Sequence, residues 1–376
     1  MSREKYIDKL LQNLKIEWTT LGNANYIELA DKKRKAVKSS NRIEGNIPYY
    51  GANNIQDYVD DYTHDGTYVL VAEDGTTSVE RYSIQWATGK FWANNHVHVL
   101  RAIDGLDNRF LFHYLHIVNF VPFLTGGGRA KLTKAKLLEI PIPIPYPDDI
   151  EKSLAIQRRI VDILDKFTEL EAELEAELEG RKRQYEFYRN QLLSINMLNG
   201  RGKKINNSTI LPLGEIVTIK NGKDYKHLST GNIPVYGSGG IMCFVDQYVY
   251  NKPSVLIPRK GSLANIFYLE EPFWNVDTIF YTEINEQIII PKFLYYYLLN
   301  QHLDRLNLAG GVPSLTQKIL NKIQISIPPL SEQQRIVSIL DKFDTLTTSI
   351  SEGLPKEIEL RRKQYEFYRD KLLSFA

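Results

Sequence analysis

Apolar residues recur at spacings of three and four over two long stretches of the chain. In the first they fall at Ile160, Ile163, Phe167, Leu170, Leu174, Leu178, Tyr185, Tyr188, Leu192 and Ile195. In the second they fall at Ile336, Ile339, Phe343, Leu346, Ile350, Ile358, Tyr365, Tyr368, Leu372 and Phe375. This spacing predicts amphipathic helices with a coiled-coil seam, one extra four-residue step marking a stutter. Prolines that cannot continue a helix backwards mark each start, in PIPIPYPDD and in IPPLSEQQ. Gly353-Leu354-Pro355 predicts a break or bend inside the second helix. Ahead of each helix the pattern changes to short β-rich runs, such as Tyr68–Ala72 and Ser254–Pro258, punctuated by Gly, Asn and Pro.

The chain is written twice. RKRQYEFYRNQLLS at 181–194 returns as RRKQYEFYRDKLLS at 361–374, with 10 of 14 positions identical. QRRIVDILDKF returns as EQQRIVSILDKF, GNIPYYG as GNIPVYG, YVLVAEDG as SVLIPRKG, and RFLFHYL as KFLYYYL. The order is the same in both halves, so a whole unit is duplicated. The resulting fold class is α+β, with two β-rich domains separated by two long helices that pack as an antiparallel coiled coil. The expected division is 1–147 for the first domain with an extra N-terminal helix, 148–196 for the first long helix, 197–329 for a polar linker and the second domain, and 330–376 for the second long helix.

Net charge changes this picture only when it is divided. The whole chain carries +2, but 1–147 carries +2, 148–195 carries −4, 196–329 carries +4 and the last segment is neutral. The basic excess lies in the two β-rich domains, a mild sign of polyanion binding. A single cysteine, Cys243, excludes an internal disulfide and fits a reducing compartment. No apolar run reaches membrane-spanning length, so a cytoplasmic protein without membrane contact is expected.

Candidate enzyme chemistry is sparse. Asn46-Ile47-Pro48-Tyr49 resembles the Asn-Pro-Pro-aromatic signature of amino-methyltransferases but lacks the first proline, and the second copy lacks the aromatic as well. His96, His98, His113 and His116 have pair spacings that could hold a metal, yet the second copy has no equivalent set, so no metal is expected. What remains is Gly-rich loops with polar and basic side chains, the kind that lets backbone approach phosphate while amides and guanidiniums reach base edges. The candidate DNA contacts are Tyr50, Asn53, Asn54, Asp74, Thr76, Thr77, Asn94, Asn95, Arg129 and Lys131 in the first copy. Their counterparts are Ser238, Arg259, Lys260, Ser262, Asn275 and Ser314. Phe187 and Phe367 lie off the tyrosine seam and recur with Arg189 and Arg369, which makes these four candidates for binding one partner species twice.

Over essentially all 376 residues the chain resembles the specificity (S) subunit of a type I restriction-modification system. The resemblance rests on Gly-Asn-Ile-Pro-x-Tyr-Gly opening each domain, Ile-Pro-(x)-Pro closing it, and the two helix motifs, Gln-Arg-x-Ile-Val-x-Ile-Leu-Asp-Lys-Phe and Arg-(x)2-Gln-Tyr-Glu-Phe-Tyr-Arg. It implies two target recognition domains that read the halves of a split double-stranded DNA sequence. It further implies helices that separate them and dock two modification (methyltransferase) subunits, with restriction/translocase subunits in the full assembly. S-adenosylmethionine, ATP and Mg would belong to those partners, and this chain would be no enzyme and need no cofactor. The central helices set the spacer in that family, which makes the LEAE repeat within TELEAELEAELEG, 168–180, a length adjuster. The extra N-terminal helix, and six more residues between Gly22 and Gly45 than between Gly214 and Gly231, depart from the duplication and leave the packing of 1–42 open. From the residues alone, a self-contained DNA-modifying enzyme and a coiled-coil scaffold without DNA binding also stay open.

Overall fold

The computed structural model describes residues 3–126, 130–193, 208–306 and 314–375. It falls into two compact units, one formed by Met1–Glu173 with Ile358–Ala376 and the other by Leu174–Glu357. Each unit therefore owns one β-rich domain together with part of each helical stretch. The 44-residue helix Ile150–Leu193 is shared between the two units, a division the pattern of apolar positions does not reveal.

In the first unit a four-stranded antiparallel sheet runs in the order Ile27–Leu29, Val97–Ala102, Tyr68–Ala72, Ile84–Ala87. Tyr68–Ala72 is buried on both faces, which is why that run reads as continuously apolar and not as an alternation. Helix Asn108–Leu115 packs on this sheet, and its first turn is closed by Asp107, whose Oδ1 accepts from the amides of Arg109 and Phe110 at 2.8 and 3.0 Å. A second sheet, in the order Ile55–Val59, Glu44–Tyr50, Lys90–Ala93, His64–Asp65, is antiparallel except where Tyr49 and Tyr50 pair parallel with Trp92 and Ala93. The second unit repeats both sheets. The first becomes Val217–Lys220, Ile279–Ile284, Ser254–Pro258, Phe267–Leu269, and the second becomes Gly240–Val245, Thr230–Gly237, Trp274–Asn275. Here Val235 and Tyr236 take the parallel partners Trp274 and Asn275, matching the first unit.

The repeated Gly-Asn-Ile-Pro has a steric reason. Both hairpins bulge at this point, with Glu44 and Ile47 both facing Val59, and Thr230 and Ile233 both facing Val245. A Cβ on Gly45 would lie 2.3 Å from the Val59 carbonyl oxygen, and one on Gly231 would lie 2.4 Å from that of Val245. Only glycine lets the two backbones approach so closely.

The helices pair antiparallel inside each unit. In the first, Phe167 stacks on Tyr368 at 5.3 Å between ring centroids, and four residues further along the first helix Glu171 meets Arg362, six residues earlier in the second. In the second unit Phe343 stacks on both Tyr185 and Tyr188, at 6.1 and 5.6 Å. The expected break occurs: helix Leu330–Thr348 stops, and helix Leu354–Leu373 starts after a non-helical turn. Gly353, at φ +87°, supplies the left-handed step that a Cβ would close off, since the Thr345 carbonyl oxygen lies 2.5 Å from where one would sit. Ile350 falls in this turn and is 83% exposed, so it is not a seam residue as its spacing implied. Helix Arg3–Leu11 buries Ile7 and Leu10 with Leu372 and Leu373 in the first unit's core, and Asp8 pairs with Lys371 at 2.7 Å.

Candidate nucleic-acid interface

In the first unit the predicted loops meet. Asn53 ties two of them together: its Nδ2 donates to the Gly75 carbonyl at 2.8 Å and its Oδ1 accepts from the Thr77 amide at 3.0 Å. Asn54 shapes the hairpin tip, its Oδ1 accepting from the Ile55 amide and its carbonyl from Gly51. Asp74 Oδ1 lies 2.5 Å from His96 Nδ1 and joins the 94–96 turn to the 74–78 loop, while its backbone bridges to Lys131. Thr76 Oγ1 donates to the Ser78 carbonyl, and Thr77 and Asn95 are exposed. Arg129 lies outside the described residues.

Three of the named residues serve the framework and do not offer side chains to a ligand. The Tyr50 ring is buried edge-on to Phe91 at 5.7 Å, and this burial raises its hydroxyl pKa. Asn94 is 3% exposed, its Oδ1 accepting from the His96 amide. Asn275 is fully buried, its Nδ2 donating to the Ile279 carbonyl at 2.7 Å. Small polar side chains that close a turn look the same in sequence as ones that face a ligand.

The acidic pair Glu73-Asp74 is not free in the first unit. Burial opposes ionisation of Glu73, but hydrogen bonds from Arg34 and Lys131 outweigh it and hold the carboxyl below its usual value. Arg34 also donates to the Val97 carbonyl at 2.7 Å and pairs with Asp31, which in turn receives His98. The reading from sequence passed over Arg34, whose place in the run Lys32-Lys33-Arg34-Lys35 disguises a half-buried structural role as a solvated charge cluster.

The second unit builds the same convergence from different contacts. The Ser238 amide donates to Thr278 Oγ1, and its carbonyl accepts from Asn265 Nδ2 at 3.0 Å. Lys260 pairs with Asp277 at 3.7 Å and its backbone bridges to Ser314. Arg259 sits over the Phe280 ring at 5.9 Å and donates one long hydrogen bond, 3.4 Å, to the Asp277 carbonyl. Its guanidinium is thus far less engaged than the equivalent Glu73. Ser262 is exposed beside it. Gln85, which donates to the Gly51 and Ala52 carbonyls, holds the first hairpin tip as Asn265 holds the second. The two do not occupy equivalent positions, so comparison of the copies hides them.

On the helices, Phe187 and Phe367 are 62% and 56% exposed, each edge-on to the tyrosine that follows it. Arg189 and Arg369 turn back instead, lying over the rings of Tyr185 and Tyr365 at 5.4 and 5.6 Å. None of the described helices is long and apolar enough to cross a membrane. All four histidines weighed as metal ligands have hydrogen-bond partners: His96 on Asp74, His98 on Asp31 and the Leu132 carbonyl, His113 on Asp165 and Tyr365, and His116 on the Phe112 carbonyl.

The family model of the type I restriction modification DNA specificity domain matches this chain twice, over 16–180 and 206–360. The chain belongs to the type I restriction-modification specificity family. Both matches end within the helical stretches, so each takes in one β-rich domain and its two sheets. A putative type I restriction enzyme specificity subunit of Haemophilus influenzae is 44% identical, over 99% of this chain and 98% of the relative. The EcoR124I/EcoR124II specificity subunit of Escherichia coli is 34% identical, over 100% and 98%. The crystal structure of the S subunit of a type I restriction-modification system from M. genitalium shares the fold at a TM-score of 0.61, with 22% identity and 96% of each chain covered.

Proposed function

We propose that this chain is the DNA-recognition subunit of a type I restriction-modification enzyme. Its two units each read one half of a split duplex sequence, and modification and restriction/translocase subunits assemble on it in the cytoplasm. The observation that carries this reading is the loop cluster built twice on one framework, with the same bulges and the same parallel strand pairing but with different side chains at the tips. A shared framework with divergent tips is what two half-sites of different sequence require. The chain supplies position and selectivity. Methyl transfer and ATP-driven steps, with their S-adenosylmethionine, ATP and Mg, fall to the partner subunits, two of which modify. Exposed Phe187 and Phe367, displayed once in each unit, are the anchors for those two copies.

The test is methylome sequencing of a host carrying this gene with its partner genes. A bipartite methylated motif that disappears when this chain is deleted supports the reading. Methylation that persists without it, or methylation by the isolated chain, overturns it.

A further inference from the structure

Each hairpin carries a second bulge, close to its tip. In the first unit Tyr49 pairs with Asp57 and Tyr50 with Ile55, so Gln56 is the extra residue with no cross-strand partner. In the second, Val235 pairs with Cys243 and Tyr236 with Ile241, so Met242 is the extra residue. A bulge re-aims the side chain of its extra residue away from the regular alternation of the strand. Here both side chains are aimed at the hairpin tip. The Cβ position of Gly51 lies 2.0 Å from Gln56 Nε2, and that of Gly237 lies 2.9 Å from Met242 Sδ. Each bulge residue therefore lays its side chain across a glycine at the hairpin tip.

Both are also exposed at the loop cluster. Gln56 Oε1 receives Asn94 Nδ2 at 3.4 Å, which anchors its oxygen beside the 94–96 turn while its amide nitrogen lies against Gly51. Met242 is 55% exposed, and Thr278 Oγ1, which orients Ser238, borders the same glycine at 3.3 Å. The surrounding contacts differ between the units, yet the bulge residue is held in the same place in both. The two side chains have opposite chemistry: one offers an amide, the other a polarisable apolar surface.

We propose that Gln56 and Met242 are equivalent base-reading residues, one for each half-site. Resting on the DNA-recognition reading above, this assigns selectivity to two positions outside the turns. The Gln56 amide matches the adenine edge in the major groove, where N7 accepts and N6 donates. Met242 matches an apolar edge, the thymine methyl group, and makes no polar demand.

The experiment uses the full chain assembled with its modification subunits and duplex libraries in which one half-site at a time is randomised. For Gln56→Met, selectivity at one base of the first half-site should fall about tenfold, with the second half-site profile unchanged. Met242→Gln should change one position of the second half-site only. Gln56→Ala is the control for a methionine that disturbs the hairpin, and it should lose the same single preference. A wild-type complex without sequence selectivity overturns the underlying DNA-recognition reading. A selective wild type whose profile is unchanged in Gln56→Met and Gln56→Ala, or altered across both half-sites, overturns the assignment alone.

Discussion

The two copies of the sheet-packed helix differ at residues that respond to acid, which permits an internal comparison. His113 and His116 of the first unit stand where the second has Tyr296 and Leu299. His113 is buried, with Nε2 on Asp165 at 2.7 Å and Nδ1 on the Tyr365 hydroxyl at 3.1 Å. Burial lowers its pKa, and nearby Arg109 and Arg369 push the same way against Asp165. His116, half-buried with Nδ1 on the Phe112 carbonyl at 2.8 Å, is pushed down to about 4 from 6.5, chiefly by burial and then by His113, Arg369 and Arg109. A histidine with a lowered native pKa takes up its proton mainly on unfolding. Its contribution to stability is complete above 6.5 and is lost as pH falls below that value. Between pH 8 and pH 5 the unfolded His116 becomes protonated while the folded one stays largely neutral, about 1.5 pH units of differential titration. At ~1.4 kcal/mol per unit this is about 2 kcal/mol, discounted to ~1–2 because the ring is partly exposed. Native-state hydrogen exchange, corrected for intrinsic rates, reads the opening free energy of helix Asn108–Leu115 separately from that of helix Pro291–Leu299. The first should weaken by this amount more than the second, and His116→Leu, which installs the residue of the other copy, should remove much of the difference. Equal weakening of both helices, or an unchanged pH dependence in His116→Leu, refutes the reasoning.

Arg259→Ala should relax or abolish recognition of the second half-site only, by ~1–3 kcal/mol, since its guanidinium makes one long hydrogen bond and a distant ring contact; graded duplex competition measures this, and equal loss at both half-sites contradicts it. Phe187→Ala combined with Phe367→Ala should weaken assembly with two modification subunits while the fold survives, because both rings are exposed; unchanged stoichiometry and affinity in analytical ultracentrifugation speak against it. A third complete LEAE after Glu177 adds four residues to an unbroken helix, ~6 Å. It should leave both half-sites unchanged but lengthen the preferred spacer by about one base pair, at most two, in a methylation assay on duplexes of graded spacing; an unmoved optimum shows that the helix is not the ruler.

The duplication was legible because its cause is steric and local. Gly45 and Gly231 are demanded by close backbones, the seam tyrosines and phenylalanines by each other, and such demands leave identical residues at matching positions. The break after Thr348 was legible for the same reason. The position of the N-terminal helix was not, although a signal exists. Tyr6-Ile7-Asp8-Lys9-Leu10-Leu11 matches Tyr368-Arg369-Asp370-Lys371-Leu372-Leu373 at five of six positions, and the two helices bury their leucines in one core. At the tips the residue type was legible but its direction was not. Asn53 and Asn94 read alike in sequence, yet one is exposed and clamps a neighbouring loop while the other closes a turn from inside.

That distinction bears on how one fold recognises two different half-sequences. In the first unit the polar groups near the tips engage one another: Arg34 and Lys131 pair with Glu73, and His96 hydrogen-bonds Asp74. Among the described tip residues, Thr77, Asn95 and Gln56 are exposed and uncharged. In the second unit Glu73 is replaced by Arg259 and Asp74 by Lys260, and His98 by Phe280, so the described residues hold no equivalent of the half-buried ion network and the two cations carry weaker restraints. In a half-buried ion network the members exchange best together, because removing one partner leaves a charge without its counterion. The framework that aligns the two units therefore tolerates wholesale exchange of tip chemistry better than single substitutions within the first unit's network. Selectivity then diverges most readily at tip positions outside the ion network, which is where Gln56 and Met242 lie, while Arg259 is the outcome of exchanging that network as a whole.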